Sequence, residues 1–119
     1  MLNLTPYTLR KTTDEHRFDV RIDFDNPVFA GHFPGNPILP GVYIIEMAKE
    51  CAELHFDRKY TISHIKSCRY YFTITPARSE NYVMLAEFSE CDNGIRAKVD
   101  LSQDDAVAMA ITMTLSEKL

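Results

Sequence analysis

The stretch from about Gly41 to about Phe56, GVYIIEMAKECAELHF, limits the possible folds most, because it reads as a helix with very little surface suited to water. Placed on a 3.6-residue period, Glu46, Lys49, Glu50 and Glu53 fall on one narrow stripe, while Val42, Ile44, Ile45, Met47, Ala48, Cys51, Ala52 and Leu54 cover the rest. Such a helix is mostly buried, so other elements have to surround it. Pro40 opens it and the polar run Asp57-Arg58-Lys59 closes it.

The remaining chain supplies strands. Tyr7 to Lys11 is weakly extended. After Thr13-Asp14-Glu15, Phe18, Val20, Ile22 and Phe24 alternate with Arg17, Asp19, Arg21 and Asp23, which gives a strand with one buried and one wet face. Beyond the helix, strand patterns run from Tyr60 to Phe72, Asn81 to Cys91, Ile95 to Ser102 and Ala106 to Leu115. Asp92-Asn93-Gly94 is a strong hairpin turn and Gln103-Asp104-Asp105 a second one. Two strands, one helix and an antiparallel run make an α+β chain with the helix packed on one sheet face. A sheet of this size covers the helix on one side only, so its other apolar flank and the sheet edge call for a second copy, as a homodimer or a higher oligomer of dimers.

With 119 residues, 45% hydrophobic and 25% charged, the chain has ordinary globular composition, and a single domain over residues 1–119 is expected. No apolar run approaches the roughly 20 residues that span a bilayer, and MLNLTPYTLRK lacks the basic-then-apolar order of a signal peptide. These features predict a cytoplasmic protein with no membrane partner. Cys51, Cys68 and Cys91 are odd in number and widely spaced, so they read as reduced, mostly buried thiols. A formal charge of -4 disfavours non-specific nucleic-acid binding. His16, His55 and His64 show no metal-ligand spacing, and no phosphate-cradling glycine loop is present.

Ahead of the helix, Pro27, Pro34, Pro37 and Pro40 each lack a backbone donor, and Gly31, Gly35 and Gly41 punctuate the same run. A long loop of fixed shape, free of regular structure, is the expectation. It carries one imidazole, His32, and the helix after it carries one early carboxylate, Glu46. A base, a helix N-terminus and an acid therefore fall in one short span.

The run GHFPGNPILPGVYIIE, with Asn26-Pro27-Val28-Phe29 upstream, closely resembles the signature of the hot-dog-fold 3-hydroxyacyl-acyl-carrier-protein dehydratases of the FabZ type, enzymes of fatty-acid synthesis. The resemblance implies a curved antiparallel sheet wrapped around one long central helix, with two active sites at a dimer interface and no metal or redox cofactor. It gives His32 the place of the catalytic histidine, Glu46 that of the catalytic carboxylate, and Gly41 that of the glycine whose amide holds the thioester carbonyl. Phe33 and Val42 join Gly41 as substrate-binding positions. In the family, the histidine and carboxylate of one site come from different protomers. Glutamate rather than aspartate at position 46 points toward the FabZ type.

The chemistry fits these residue types. Dehydrating a 3-hydroxyacyl thioester needs a base for the α-proton, stabilisation of an enolate-like oxygen, and help for a poor leaving group. Neutral His32 suits the first task, since an imidazole titrates near about 6.5. The Gly41 amide suits the second, because it lies among the unpaired donors of a helix N-terminus, where one donor typically contributes about 3 kcal/mol. Glu46 follows about 7 Å further along the axis. It acts either as an acid raised by burial or as an ionised group that orients the departing water.

The chain departs from the family after the helix. Tyr70-Tyr71-Phe72-Thr73 and Pro76-Ala77-Arg78 stand where basic residues, a proline and a Pro-Gly-Asp turn are usual, and Glu50 stands at a family glutamine. Arg58, Lys59, Lys66, Arg69 and Arg78 are the candidates for meeting an acidic acyl carrier protein. Two other readings are a hot-dog thioesterase, with the carboxylate activating water, and a non-catalytic acyl-binding module. The plainer role for Glu46 is an ion pair with Lys49 on the polar stripe.

Overall fold

Alternating apolar and polar side chains build six strands, all paired antiparallel, in a computed structural model that describes residues 5–31, 38–75 and 81–118. Strands β1 (Tyr7–Lys11) and β2 (Arg17–Ile22) come first. Helix α1 (Gly41–Phe56) follows, and then β3 (Tyr60–Tyr70), β4 (Tyr82–Cys91), β5 (Gly94–Gln103) and β6 (Ala106–Glu117). Across the sheet the order is β1-β2-β4-β5-β6-β3. Since β2 lies near one end and β3 forms the opposite edge, the link between them has to cross the sheet. Helix α1 makes that crossing over one face, touching β1, β3, β4, β5 and β6.

The helix spans the residues its periodicity predicts. Ile44, Met47, Ala48, Cys51 and Ala52 are buried against the sheet. They share one apolar core with Phe18, Met84, Leu101, Met109, Ile111 and Met113. Three of the five are small, which lets the helix sit low on the sheet, and the Cys51 thiol reaches Met84 Sδ at 3.7 Å. The burial is less complete than the sequence suggests, because Val42, Leu54 and Phe56 stay exposed. All three cysteines are free, with Cys51 buried and Cys68 and Cys91 half-buried.

Other boundaries shift for local reasons. The stretch Pro27–Gly31 forms a 3-10 helix, which corrects the expectation of a loop without regular structure. Proline is tolerated there because a first turn leaves that donor unused. Asn26 Oδ1 accepts the Val28 amide at 2.9 Å and starts the turn. Strand β2 ends before Phe24, whose ring leaves the sheet to pack on Phe29 at 5.2 Å. Strand β3 ends at Tyr70, two residues early, because the Tyr71 and Phe72 amides both donate to the Ala108 carbonyl, at 2.8 and 3.4 Å.

Both expected hairpins form. Asp104 and Asp105 take φ of 52° and 66° between the paired Gln103 and Ala106, the positive pair that suits a two-residue turn between twisted strands. In the other hairpin Cys91 pairs with Gly94, whose φ is 149°. A Cβ at Gly94 would collide with the backbone carbonyl of Leu115 on β6. Gly94→Ala is therefore expected to destabilise the protein by about 2 kcal/mol or more, measured by urea denaturation, since neither the backbone angle nor the neighbour can yield cheaply.

Candidate active site

The helix N-terminus is built by chain segments that meet only in the fold. Pro40, extended at φ -63° and ψ 143°, precedes α1 and offers no side-chain cap. Tyr43 donates its amide to the Pro40 carbonyl at 3.1 Å. Just upstream, the Leu39 amide donates to the Ile74 carbonyl at 3.0 Å, and both side chains are buried. This clamp ties the start of α1 to the segment leaving β3, and it brings the Tyr70 ring onto Gly41. A Cβ at Gly41 would lie 2.5 Å from Tyr70 Oη and 2.8 Å from its Cζ, so any larger residue there forces the ring to shift. Partial burial, then a hydrogen bond with Cys68 and the negative charge its thiolate would carry, push the Tyr70 phenol up to about 12, so it stays a proton donor at neutral pH.

The polar stripe of α1 is a connected set of side chains. Lys49 Nζ lies 2.8 Å from Glu46 Oε1 and 3.8 Å from Glu53 Oε2. Burial alone would lower Lys49, but the Glu46 hydrogen bond and the Glu46, Glu53 and Glu50 charges outweigh it, and its titration is raised. Glu53 Oε2 also accepts the Tyr60 amide at 2.9 Å. Glu50 turns to the other side and accepts a short hydrogen bond from the Tyr7 hydroxyl. Burial raises Glu50 first. The Tyr7 bond opposes this, the Glu46 and Glu53 charges add to it, and Lys49 opposes it. Tyr7, whose ring meets Tyr43 edge-on at 6.4 Å, is raised by burial and then by Glu50, so it donates.

The candidate residues of the sequence divide into three groups. Gly41 and Glu46 sit on one helix, at its first residue and about 7 Å further along. Glu46 has a side chain 48% exposed and is engaged by Lys49, the ion pair that the plainer reading anticipated. Val42 is 70% exposed. His32 and Phe33 lie outside the described residues, as does Arg78. The His16 and His55 rings stack at 6.5 Å near the opposite end of α1, beside Phe56 and Phe88, and take no part at Gly41. Arg58 is paired with Glu117 at 3.3 Å, while Lys59, Lys66 and Arg69 are exposed. A groove of 760 Å³, lined by Leu85, Glu87, Arg96, Lys98 and Asp100 among others, contains none of the candidate residues. Nothing local along the chain marks the approach of Tyr70 to Gly41 or of Tyr7 to Glu50, whereas the spacing of Lys49 from Glu46 and Glu53 is a readable sign of that contact.

Two outcomes follow from these contacts. Because the folded state holds the Glu50 proton more tightly than the unfolded chain, the Glu50 contribution is fully present below its ordinary value of 4.5 and is lost as pH rises through the folded value. Glu50→Gln keeps an acceptor for Tyr7 and removes that loss. Its melting temperature should exceed that of the wild type at pH 8, with the gap closing toward pH 4. Gly41→Ala, ordinarily favourable in a helix, should cost about 1 kcal/mol here and become neutral or stabilising in a Tyr70→Ala background, as a double-mutant cycle would measure.

Comparison with known proteins matches this chain over most of its length. A family model described as ApeI-like, ApeI dehydratase, covers residues 8–110. The chain is 33% identical over 98 residues to the 3-hydroxyacyl-acyl-carrier-protein dehydratase FabZ of Ralstonia nicotianae, covering 73% of this chain and 58% of that protein's length. It is 27% identical over 107 residues to the FabZ of Wolbachia pipientis wMel, covering 82% of this chain and 73% of that one. Among solved structures, a chain of the dehydratase heterocomplex ApeI:P of Xenorhabdus doucetiae superposes with a TM-score of 0.59 at 22% identity, covering 90% of this chain and 93% of the other. An uncharacterized protein of Erwinia carotovora subsp. atroseptica superposes at 0.61 with 19% identity, covering 93% and 92%. The sheet-and-helix architecture is the hot-dog fold. With that fold and a match to 8–110 of its residues, the chain belongs to the ApeI-like dehydratase family.

Proposed function

We propose that this protein removes water from (3R)-3-hydroxyacyl thioesters carried on acyl carrier protein, giving trans-2-enoyl thioesters in fatty-acid or related acyl-chain and polyketide synthesis. The carrying observation is the pairing of a glycine at the helix N-terminus with a half-exposed carboxylate five residues on, Gly41 and Glu46. The Gly41 amide receives the thioester carbonyl, His32 takes the α-proton, and Glu46 assists departure of the β-hydroxyl as water. Phe33 and Val42 flank the acyl chain. Tyr70, a donor beside Gly41, borders the same carbonyl position. The FabZ names of the relatives support this substrate class.

The functional unit in this reading is a dimer whose sites draw His32 from one chain and Glu46 from the other. The long free edge β3, with Ile65 and Tyr70 exposed, and the exposed Val42 support such a partner. Exposed Lys66 and Arg69 on β3, with Lys59, suit an acidic carrier protein. The ApeI:P structure is a heterocomplex, which makes a related but non-identical chain the second reading for the partner.

Purified protein given 3-hydroxyacyl thioesters on acyl carrier protein, over a range of chain lengths, should yield the 2-enoyl thioester by mass spectrometry. Release of free thiol would instead indicate a thioesterase, and carrier binding without turnover an acyl-binding module. His32→Ala and Glu46→Gln should each lower turnover by about 100-fold or more without unfolding the protein. Mixing these two variants under subunit exchange should restore about a quarter of wild-type activity if sites are shared across a homodimer. No recovery, with exchange verified, would overturn the shared site.

A further inference from the structure

Side chains on successive turns of α1 form a fixed series that ends on Glu46. At its base the amide of Tyr60, the first residue of β3, donates to Glu53 Oε2 at 2.9 Å, so this carboxylate is tied to the backbone of another element. The Glu53 side chain is only 11% exposed. One turn back lies Lys49, 19% exposed, with its ammonium 3.8 Å from Glu53 Oε2 and 2.8 Å from Glu46 Oε1. Glu50, the remaining acid of the stripe, is engaged by the Tyr7 hydroxyl. An exposed lysine-glutamate pair on a helix is ordinarily weak, since two long side chains lose freedom and water screens them. Here the lysine stem is packed and a second, backbone-anchored carboxylate holds the ammonium, so much of that freedom is lost before any substrate arrives.

We infer that Lys49 is a positioning residue for Glu46: its ammonium holds Glu46 Oε1 and leaves Oε2 to face the substrate hydroxyl. The inference rests on the catalytic reading of Glu46. A glutamate has three side-chain rotors, and small misplacement of a reacting group slows chemistry steeply, so fixing one oxygen acts on turnover rather than on binding. Glu53 is the anchor of the series and Lys49 its connecting link.

Lys49→Met removes the ammonium while keeping most of the stem, and Lys49→Arg keeps the charge. On 3-hydroxyacyl carrier-protein substrates, Lys49→Met should lower kcat about tenfold with KM within about twofold. Lys49→Arg should recover most of that loss, and the melting temperature should hardly move. In a Glu46→Gln background, Lys49→Met should not lower the residual rate further, because it acts through Glu46. Independently of activity, carbon-detected NMR of the lysine side chain should show the Lys49 titration falling in Glu46→Gln. An unchanged Lys49 titration in that variant overturns the inference, as does an undiminished Lys49→Met loss in the Glu46→Gln background. Full kcat in Lys49→Met, where Glu46→Gln is inactive, overturns the positioning role alone. Full turnover in Glu46→Gln overturns the catalytic reading and the positioning role with it.

Discussion

The seam between α1 and the sheet carries the rest of this structure. Ile44 and Met47 fill it, and Ala48, Cys51 and Ala52 let the helix lie close. A fully buried large apolar side chain contributes about 2 kcal/mol, against a few tenths for an exposed ion pair, so packing rather than charge decides where the helix sits. Because the helix crosses from β2 to the far edge strand β3, that seam places both of its ends at once. At the N-terminus the Leu39–Ile74 hydrogen bond and the Tyr70 ring close on Gly41. Nearer the other end, Tyr60 meets Glu53.

Charge then refines what packing has set. The stripe of α1 runs from a carboxylate tied to β3, Glu53, through a largely buried lysine to a half-exposed carboxylate, Glu46. Glu50 is drawn off to β1 by Tyr7. One helix face therefore holds acids in different surroundings, one anchored, one half-buried with a raised titration and one open to an incoming group. Such separation of environments along a single element lets like residues take unlike roles.

Much of this was readable from the chain. The helix limits follow from a 3.6-residue pattern bounded by Pro40 and Asp57, and the hairpin at Asp92-Asn93-Gly94 follows from a turn run whose glycine takes the positive φ. The positions of Gly41 and Glu46 on the helix came from spacing alone. The 3-10 helix at Pro27–Gly31 was hidden because proline reads as a breaker although a first turn tolerates it. The early end of β3 was hidden because Tyr71 and Phe72 look strand-like, while the Ala108 carbonyl that captures their amides lies elsewhere in the chain. His32 and Phe33 fall outside the described residues, so the candidate site joins a helix half described by its structure to a loop half known from its sequence.

By itself the sequence determined the central helix and the run of strands, the polar face of the helix, and the order of candidate base, amide donor and carboxylate along the chain. These depend on local periodicity, on backbone donors and on side-chain chemistry, all of which a linear string encodes. Only the tertiary structure decided the strand order β1-β2-β4-β5-β6-β3, which leaves β3 as an edge, and the contacts of Tyr70 with Gly41, Tyr60 with Glu53 and Tyr7 with Glu50. Two of these three join residues far apart in the chain, and even the Tyr60–Glu53 bond depends on how α1 turns into β3. They exist because a nearly all-apolar helix has to be buried across a sheet, and that burial fixes which distant side chains meet.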